Sequence, residues 1–238
     1  MKVLVTGSLG LIGSSVVKFY LNEACEVHGV DNDMRKHIYG EEGSVAKNKI
    51  DHPNYYHYGV DISKIEGVIK HEKPDVIVHA AAQTSHAYSL ENPIIDFGIN
   101  AYSTLMLLEM VRKHIPESVF VYLSVAEESG YSFMKLSKTT GELYTQCYCA
   151  MFGLNTGVFK CLNVTGPGEP FRKEMLESKE YLIHASDLAQ AIFHFSKKPK
   201  VGMMYNFTDR GGLTAFGLHY PEWKARYNDW AIREDLMK

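Results

Sequence analysis

The chain has 238 residues, enough for one large α/β domain or two small ones, and its hydrophobic content of 45% suffices for a sizeable core. Acidic and basic residues are interspersed and leave a formal net charge of −3 without a Lys/Arg run, so we expect no nucleic-acid partner. There is no basic-then-apolar leader and no apolar stretch near twenty residues, so we expect a cytoplasmic protein without a membrane partner.

Apolar runs of strand length alternate with segments of helical spacing along the first two thirds of the chain. The predicted strands are KVLVTG, CEVHGVDND, HYGVDI, DVIVHAAA, SVFVYLSV and NTGVFKCLNVTGP. The predicted helices are SSVVKFYLNEA, ISKIEGVIKHE, PIIDFGINAYSTLMLLEMVRKHI and KLSKTTGELYTQCYCAMFG. The segment from Met34 to Tyr56 is predicted to be polar and irregular. This alternation predicts an α/β fold with a doubly wound parallel sheet.

Three glycines, Gly7, Gly10 and Gly13, separate the first predicted strand from the first predicted helix. Gly7 would allow the sharp turn, Gly10 would let the backbone approach a pyrophosphate, and Gly13 would let the helix pack close to the strand. The amides of Leu11 and Ile12 at the helix N-terminus would face the phosphates. The position of these glycines inside a βαβ unit favours a dinucleotide site over a turn without a ligand.

Asp31 stands at the end of the second predicted strand, with Asn32 beside it. The Asp31 carboxylate could accept hydrogen bonds from the adenine ribose hydroxyls and would repel a 2′-phosphate. NAD is therefore predicted over NADP, although Arg35 and Lys36 lie nearby. We predict a Rossmann-type NAD-binding domain over residues 1–168 and a C-terminal region, residues 169–238, packed on it.

The four cysteines are predicted to be reduced structural thiols. Cys147 and Cys149 form a C-x-C on a predicted helix, where their side chains point apart, and Cys25 and Cys161 stand alone. No metal site is expected from this pattern.

Several segments together resemble the extended short-chain dehydrogenase/reductase superfamily, in its NAD-dependent epimerase/dehydratase branch. They are TGSLGLIGS, VDND, GVDIS and VIVHAAAQTS. The longer stretch HAAAQTSHAYSLENPIIDFGINAYSTLMLLE is similar to nucleotide-sugar epimerases around CDP-paratose 2-epimerase. The resemblance is nearly unbroken to about residue 125 and continues in pieces. It implies NAD as cofactor and a nucleotide sugar as substrate.

The resemblance also implies further cofactor residues. Asp61 and Ile62 would contact the adenine, Asn100 would tie the fourth strand to the central helix, and Asn163 would lie near the nicotinamide. Asp61 could instead be a surface acid before a helix cap, and Asn100 could bond locally. The residues implied to line the cofactor beneath the fourth strand are Ala80, Ala81 and Ala82.

The catalytic pattern of the family is interrupted on its predicted tyrosine–lysine helix. The family uses a Tyr as acid/base and a Lys four residues later, which bonds the nicotinamide ribose and lowers the pKa of the Tyr. The sequence SKTTGE matches the family pattern S-K-x-x-G-E, which makes Lys138 the ribose-binding lysine. Met134 stands at the tyrosine position. Tyr131, one helical turn earlier with Lys135, could be a displaced base on the same helix face as Lys138, or a chance tyrosine.

The family's hydroxyl residue at the end of the fifth strand is also replaced. Val125 occupies its position, counted from Gly130, and cannot donate a hydrogen bond. Ser124 is adjacent but should point to the opposite side of the strand. Three segments that the family has are missing, after Gly130, after GPGEP and after DRGG, which implies that residues 169–238 are a reduced substrate region.

Two functions remain open from the sequence. The first is an NAD-dependent sugar-nucleotide epimerase or dehydratase, with Tyr131 as base, Lys138 at the cofactor and Ser124 at the fifth strand. The second is a catalytically impaired NAD-binding protein that acts as a binder or scaffold. A homodimer through a four-helix bundle is implied by the resemblance. The apolar stripe that could form it, or could equally be a core face, is Leu105, Leu108, Val111, Leu136, Leu143 and Cys147.

Overall fold

Strands and helices alternate through most of the computed structural model. It describes residues 1–126, 131–161, 163–166, 182–199, 202–208, 212–215 and 218–219. The strands are β1 (Lys2–Thr6), β2 (Glu26–Val30), β3 (Tyr55–Tyr58), β4 (Val76–His79), β5 (Val119–Val125), β6 (Thr156–Cys161), β7 (Asn163–Thr165), β8 (Leu182–His184), β9 (Met203–Thr208), β10 (Gly212–Ala215) and β11 (Leu218–His219). The predicted boundary between residues 168 and 169 lies outside the described residues.

The main sheet has the strand order β11-β10-β9-β6-β5-β4-β1-β2-β3. Strands β9, β6, β5, β4, β1, β2 and β3 are parallel, and β10 and β11 are antiparallel additions at one edge. Thr6 of β1 pairs with Val30 of β2 on one side and with His79 of β4 on the other. The chain order reverses at β1, and ligands of doubly wound sheets bind at the carboxyl ends of the strands beside such a reversal. The predicted fold class is confirmed.

Eight α-helices in the described residues connect these strands. They are α1 (Leu11–Asn22), α2 (Met34–Tyr39), α3 (Glu66–Glu72), α4 (His86–Glu91), α5 (Pro93–Phe97), α6 (Ser103–His114), α7 (Phe133–Phe152) and α8 (Ala185–Lys197). A π-helical segment, Gly98–Tyr102, joins α5 to α6 into one long helix.

Two sequence predictions about these elements are wrong. The segment from Met34 to Tyr56 is not irregular throughout, because it contains α2 and is closed by side-chain hydrogen bonds to Asp33. The predicted sixth strand, NTGVFKCLNVTGP, is divided between β6 and β7. These two strands belong to different sheets, since β7 pairs only with β8 among the described residues.

The core lies on both faces of the sheet. Along each central strand, successive residues enter opposite layers, as the two-residue period of a strand requires. Val5 of β1 packs with α1 and α8, whereas Leu4 packs with α3, α6 and α7. The Tyr20 hydroxyl of α1 donates to Ser196 Oγ of α8 at 2.9 Å, which joins the two helices of the first layer. Burial of both faces is what a parallel sheet between helices requires.

The helix from Pro93 to His114 is the one span in the described residues that is long and apolar enough to cross a membrane. The expectation that no apolar stretch approaches twenty residues is therefore wrong for this helix. In its most apolar window 44% of the residues are buried inside the protein. Asn100, Thr104 and Leu108 are among them, and they face the sheet. A helix whose inner face is buried in a protein core meets the same test of length and apolar composition, so composition alone does not make this helix a membrane span.

Candidate cofactor site and active site

The glycine loop lies at the carboxyl ends of β1, β2 and β4. The Gly7 N–H donates to the Val30 carbonyl at 2.8 Å, and Gly7 has a φ of +67°, in the left-handed region that favours glycine. A Cβ at Gly7 would lie 2.6 Å from the backbone nitrogen of Ala81. The turn therefore needs glycine at this position and brings the loop against the chain that follows β4.

Gly13 and Gly10 differ in how closely other atoms surround them. A Cβ at Gly13 would lie 2.0 Å from the Gly7 carbonyl oxygen, so α1 can approach the loop only with glycine there. A Cβ at Gly10 would meet just the Gly7 oxygen, at 3.3 Å, which leaves the surroundings of Gly10 open. Gly10 is the N-cap of α1 and supplies no side-chain cap. The amides of Leu11, Ile12 and Gly13 have no intrahelical partner, and an anion is suited to such a helix end.

The predicted adenine-side residues lie together at the ends of β2 and β3. Asp31 Oδ2 accepts from the Leu9 N–H at 3.0 Å, which links the carboxylate to the glycine loop. Asn32 Nδ2 donates to Asp61 Oδ2 at 3.1 Å. Asp61 Oδ1 also accepts from the Ser63 N–H at 2.9 Å and thereby caps the 3₁₀ turn Ile62–Lys64, in which Ile62 is buried. Asp61 therefore caps a helical turn, as in the alternative interpretation, and also lies beside Asn32, where a contact with adenine remains a prediction.

The three alanines after β4 lie half-buried beside the glycine loop. The Ala80 N–H donates to the Thr6 carbonyl at 3.1 Å, and the Ala81 N–H to Thr6 Oγ1 at 3.3 Å. His79 is buried below them and is bonded to Thr6 Oγ1 at 2.8 Å and to Thr104 Oγ1 at 3.0 Å. Burial, assisted by the nearby Lys138 charge, lowers the pKa of His79 to about 3, so the ring is neutral.

Asn100 ties the chain after β4 to the long helix, as the resemblance implied. Its Oδ1 accepts from the Gln83 N–H at 2.9 Å, and its Nδ2 donates to the Gln83 carbonyl at 2.9 Å and to Ser137 Oγ of α7 at 3.0 Å. Asp96 Oδ1 accepts from Gln83 Nε2 at 2.8 Å. Gln83 and Asp96 were not predicted as site residues, although Asp96 and Asn100 are four residues apart on a helix and therefore lie on one face.

Lys138 is buried in α7 and faces the end of β5. Its Nζ donates to the Leu123 carbonyl and lies 4.6 Å from the centre of the Tyr122 ring. Burial lowers the pKa of Lys138 to about 8. A Cβ at Gly141, one turn further along α7, would lie 2.5 Å from the Tyr122 hydroxyl. The lysine is therefore held at the end of β5 by the protein backbone, and its contact with a nicotinamide ribose remains a prediction.

The predicted tyrosine–lysine pair on one helix face is not formed. Tyr131 precedes α7, whose N-cap is Ser132, and its side chain is wholly exposed, whereas Lys138 is buried. The Ser132 hydroxyl accepts from the Lys135 N–H and caps α7, which therefore begins at Phe133, two residues before the predicted start at Lys135 but after Tyr131. Met134, at the family's tyrosine position, is buried. Gly130 lies outside the described residues, as does the side chain of Asn163.

Ser124 is engaged by α7. Its hydroxyl donates to Glu142 Oε2 at 2.6 Å, and both side chains are buried. Glu142 Oε1 also lies 3.3 Å from Lys160 Nζ. Val125, which ends β5, presents no polar atom at the family's hydroxyl position. The Ser124 hydroxyl is thus committed to a structural contact, and its predicted catalytic role remains a prediction.

The opposite end of the sheet carries a group of residues that could hold a metal ion, Glu26, His28 and Glu72, with donor atoms within 4.8 Å of one another. The Lys2 ammonium lies 3.2 Å from Glu26 Oε1 and 2.9 Å from Glu72 Oε2. The lysine thus supplies the cation that balances these carboxylates. Its hydrogen bond, followed by that of His71, lowers the pKa of Glu72 to about 2.

The comparison with known families matches residues 3–179 to the NAD dependent epimerase/dehydratase family. This chain belongs to that family. The resemblance inferred from the glycine loop and the S-K-x-x-G-E motif is therefore confirmed. The family is NAD-dependent, which agrees with the predicted cofactor.

Two curated relatives of this epimerase/dehydratase family member are sugar-nucleotide enzymes by name. CDP-paratose 2-epimerase of Salmonella typhi is 27% identical over 199 residues, covering 70% of this chain and 58% of that protein. UDP-glucose 4-epimerase of Mycolicibacterium smegmatis is 28% identical over 188 residues, covering 70% of this chain and 57% of that protein. The chain thus spans less than two thirds of the length of these relatives.

Solved structures share the fold of this family member. The Bordetella bronchiseptica enzyme WbmF, in complex with NAD+ and UDP, matches with a TM-score of 0.76 and 23% identity over 90% of this chain and 73% of that one. UDP-glucose 4-epimerase of Thermotoga maritima, with UDP-glucose, matches with a TM-score of 0.73 and 23% identity over 90% of this chain and 79% of that one.

Proposed function

We propose that this chain is an NAD-binding, nucleotide-sugar epimerase/dehydratase-like protein in which hydride transfer is impaired. The observation that carries the proposal is the packing of the three glycines. Gly7 and Gly13 admit no Cβ, while the surroundings of Gly10 are open beside the uncapped N-terminus of α1. This is the arrangement that a dinucleotide pyrophosphate requires.

The residues around the loop would hold the rest of the cofactor. Asp31 would accept the adenine ribose hydroxyls while keeping its bond to the Leu9 N–H. Lys138, buried beside the end of β5, would contact the nicotinamide ribose. NAD, when bound, supplies the capacity to take a hydride from a sugar carbon and to return it. The names of the relatives suggest a nucleotide sugar as the substrate. It would bind at the same carboxyl end of the sheet as the cofactor.

The side chains that would move a proton during hydride transfer are not assembled. Val125 carries no hydroxyl, and the buried thioether of Met134 cannot act as an acid or base. Tyr131 is exposed and lies outside α7, away from the buried ammonium that would lower the pKa of a tyrosine beside it. General acid–base catalysis contributes about 10²–10⁴-fold, so its loss leaves binding without appreciable turnover.

The first experiment measures NAD binding by the full chain. We would denature the purified protein and look for extracted nucleotide, then titrate the protein with NAD and NADP by calorimetry. Bound NAD, or NAD binding tighter than NADP, supports the proposal. Binding of neither cofactor contradicts it.

The second experiment restores the missing groups. Val125→Thr together with Met134→Tyr returns the family's hydroxyl and phenol, and Val125→Ala with Met134→Phe is the matched control that restores neither. We expect product formation from a sugar-nucleotide panel, with transient NADH absorbance under single-turnover conditions, in the first double variant only. Equal activity of wild type and both double variants would contradict the proposed impairment. Melting temperatures check that each variant folds.

The retained Lys138 favours a competing function, an active epimerase or dehydratase with Tyr131 as a displaced base. The two proposals separate on one substitution. Tyr131→Phe should abolish any turnover of the panel if Tyr131 is the base, and should change nothing if the wild type is impaired. Because the Tyr131 side chain is wholly exposed, this substitution should leave stability unchanged.

We also propose a homodimer through the outer faces of α5 and α7. Ile94 is 86% exposed, Leu136 63% and Leu143 58%, and a monomer rarely leaves such an apolar face open. Of the predicted stripe, Leu108 and Val111 belong instead to the core. Multi-angle light scattering should give a dimer mass that Leu136→Glu reduces to a monomer, while Lys18→Glu on α1 leaves it unchanged. A wild-type monomer would contradict the proposal.

A further inference from the structure

The backbone of Leu9, inside the glycine loop, is held on both sides by residues that follow β2. Its N–H donates to Asp31 Oδ2 at 3.0 Å, and its carbonyl accepts from Asn48 Nδ2 at 2.8 Å. An asparagine side chain can donate only through its amide nitrogen, so the orientation of the Asn48 amide is set by this carbonyl. Asn48 lies 39 residues from Leu9 in sequence, and nothing in the sequence pattern marked it.

Asn48 reaches the loop because the segment before it is closed on itself. We call residues 33–48 the strap. Asp33 begins it with a φ of 53°, and its carboxylate accepts from Ser44 Oγ at 2.6 Å and from the Val45 N–H at 2.8 Å. The 3₁₀ turn Ala46–Asn48 follows directly and carries Asn48 to the glycine loop. A left-handed aspartate is uncommon and persists where hydrogen bonds fix it, as they do here.

The Asn48 contact decides which way one peptide group of the loop faces. The carbonyl and N–H of a trans peptide point in opposite directions. With the Leu9 carbonyl turned to Asn48, the Gly10 N–H is directed to the Gly7 carbonyl, which it meets at 3.0 Å. Rotation of this peptide would turn a carbonyl oxygen away from Asn48 and break both bonds. The loop would then lose the turn that places Gly10 at the N-terminus of α1, where the free amides are suited to an anion.

We propose that Asn48 is a positioning residue for the cofactor, which holds the Leu9–Gly10 peptide in the orientation that accepts a pyrophosphate. This inference rests on the proposed NAD binding. Asn48 acts through the loop and does not itself touch the cofactor. The strap thereby contributes to phosphate binding although it lies outside the glycine motif.

The test compares Asn48→Ala and the isosteric Asn48→Asp with a matched control, Asn155. Asn155 Nδ2 makes the same kind of bond, to the Glu117 carbonyl at 3.1 Å, at the start of β6. We would titrate wild type, both Asn48 variants, Asn155→Ala and Asn155→Asp with NAD, ADP-ribose and adenosine. Loss of the bond should weaken NAD and ADP-ribose about tenfold in Asn48→Ala. Asn48→Asp should weaken them further, because a carboxylate repels the Leu9 carbonyl.

Adenosine separates positioning from a general structural role, since it has no phosphate to sense the loop. Its affinity should be unchanged in the Asn48 variants, and all three affinities should be unchanged in the Asn155 variants. NAD affinity of Asn48→Ala within twofold of wild type would overturn the inference, as would equal loss of all three ligands together with a lowered melting temperature. A wild type that binds neither NAD nor ADP-ribose overturns the proposed function as well, whereas tight wild-type binding that the Asn48 variants retain overturns this inference alone.

Discussion

Replacing Gly13 by alanine tests the close packing of α1 on the glycine loop. The added Cβ would lie 2.0 Å from the Gly7 oxygen, 2.7 Å from the Gly7 carbonyl carbon and 3.0 Å from Ser8 Cα. Ordinary contact begins at 3.4 Å, so the helix must move from the loop by more than 1 Å. All three atoms belong to the backbone, and none can rotate away. We expect a loss of about 3 kcal/mol in the free energy of unfolding, the upper part of the range for overpacking.

A loss of this size lowers the melting temperature of a chain of this length by about 6–12 °C. Calorimetric melting and NAD titration of the same samples measure both consequences, because a displaced α1 also moves its N-terminal amides. Gly67→Ala is the control, since Gly67 lies in α3 with nothing within 4 Å of the added carbon. It should stabilise the protein by about 0.5–1 kcal/mol. If Gly13→Ala melts and binds NAD like Gly67→Ala, the packing argument is wrong.

Three further predictions concern the same site. Gly10→Ala should weaken NAD binding while lowering the melting temperature less than Gly13→Ala does, because its Cβ meets just the Gly7 oxygen at 3.3 Å; a melting temperature as low as that of Gly13→Ala would contradict this. Asn100→Ala should cost about 2–4 kcal/mol in urea unfolding, because it leaves the buried backbone N–H and carbonyl of Gln83 without their partner. A cost below about 1 kcal/mol would refute the bonding described. The free energy of unfolding should fall as pH drops from 6.5 to about 3, because His79 binds a proton in the unfolded chain but stays neutral in the folded one. In His79→Gln the free energy of unfolding should depend less steeply on pH over this range.

The parallel sheet and the glycine loop could be predicted from the sequence because their signals are local. Each central strand is a continuous apolar run, and the glycines stand where a strand meets a helix. The beginning of α7 could not be located in the same way. Tyr131 and Lys138 have helical spacing in the sequence, but the Ser132 hydroxyl caps the helix after Tyr131. A capping residue can start a helix inside a segment whose spacing is helical throughout, and the sequence alone does not show which of the two signals sets the first helical residue.

Contacts between segments far apart in the chain could not be predicted from the sequence either. Asn48 meets Leu9 across 39 residues, and its surroundings in the sequence are polar without a period. The apolar helix from Pro93 to His114 shows the same limit. Its composition does not reveal that Asn100 and Thr104 are buried on its inner face, whereas Ile94 is exposed.

The S-K-x-x-G-E motif of α7 has a purpose here that requires no substrate. The Ser137 hydroxyl accepts from Asn100 Nδ2, and Gly141 lets α7 approach Tyr122. The Glu142 carboxylate accepts a hydrogen bond from Ser124 and forms an ion pair with Lys160. Lys138 satisfies the Leu123 carbonyl. Natural selection for a folded chain alone could therefore preserve the motif after turnover had been lost. The presence of the motif in a family member is therefore evidence that the packing between α7 and the sheet is kept, and it is not by itself evidence of catalytic activity.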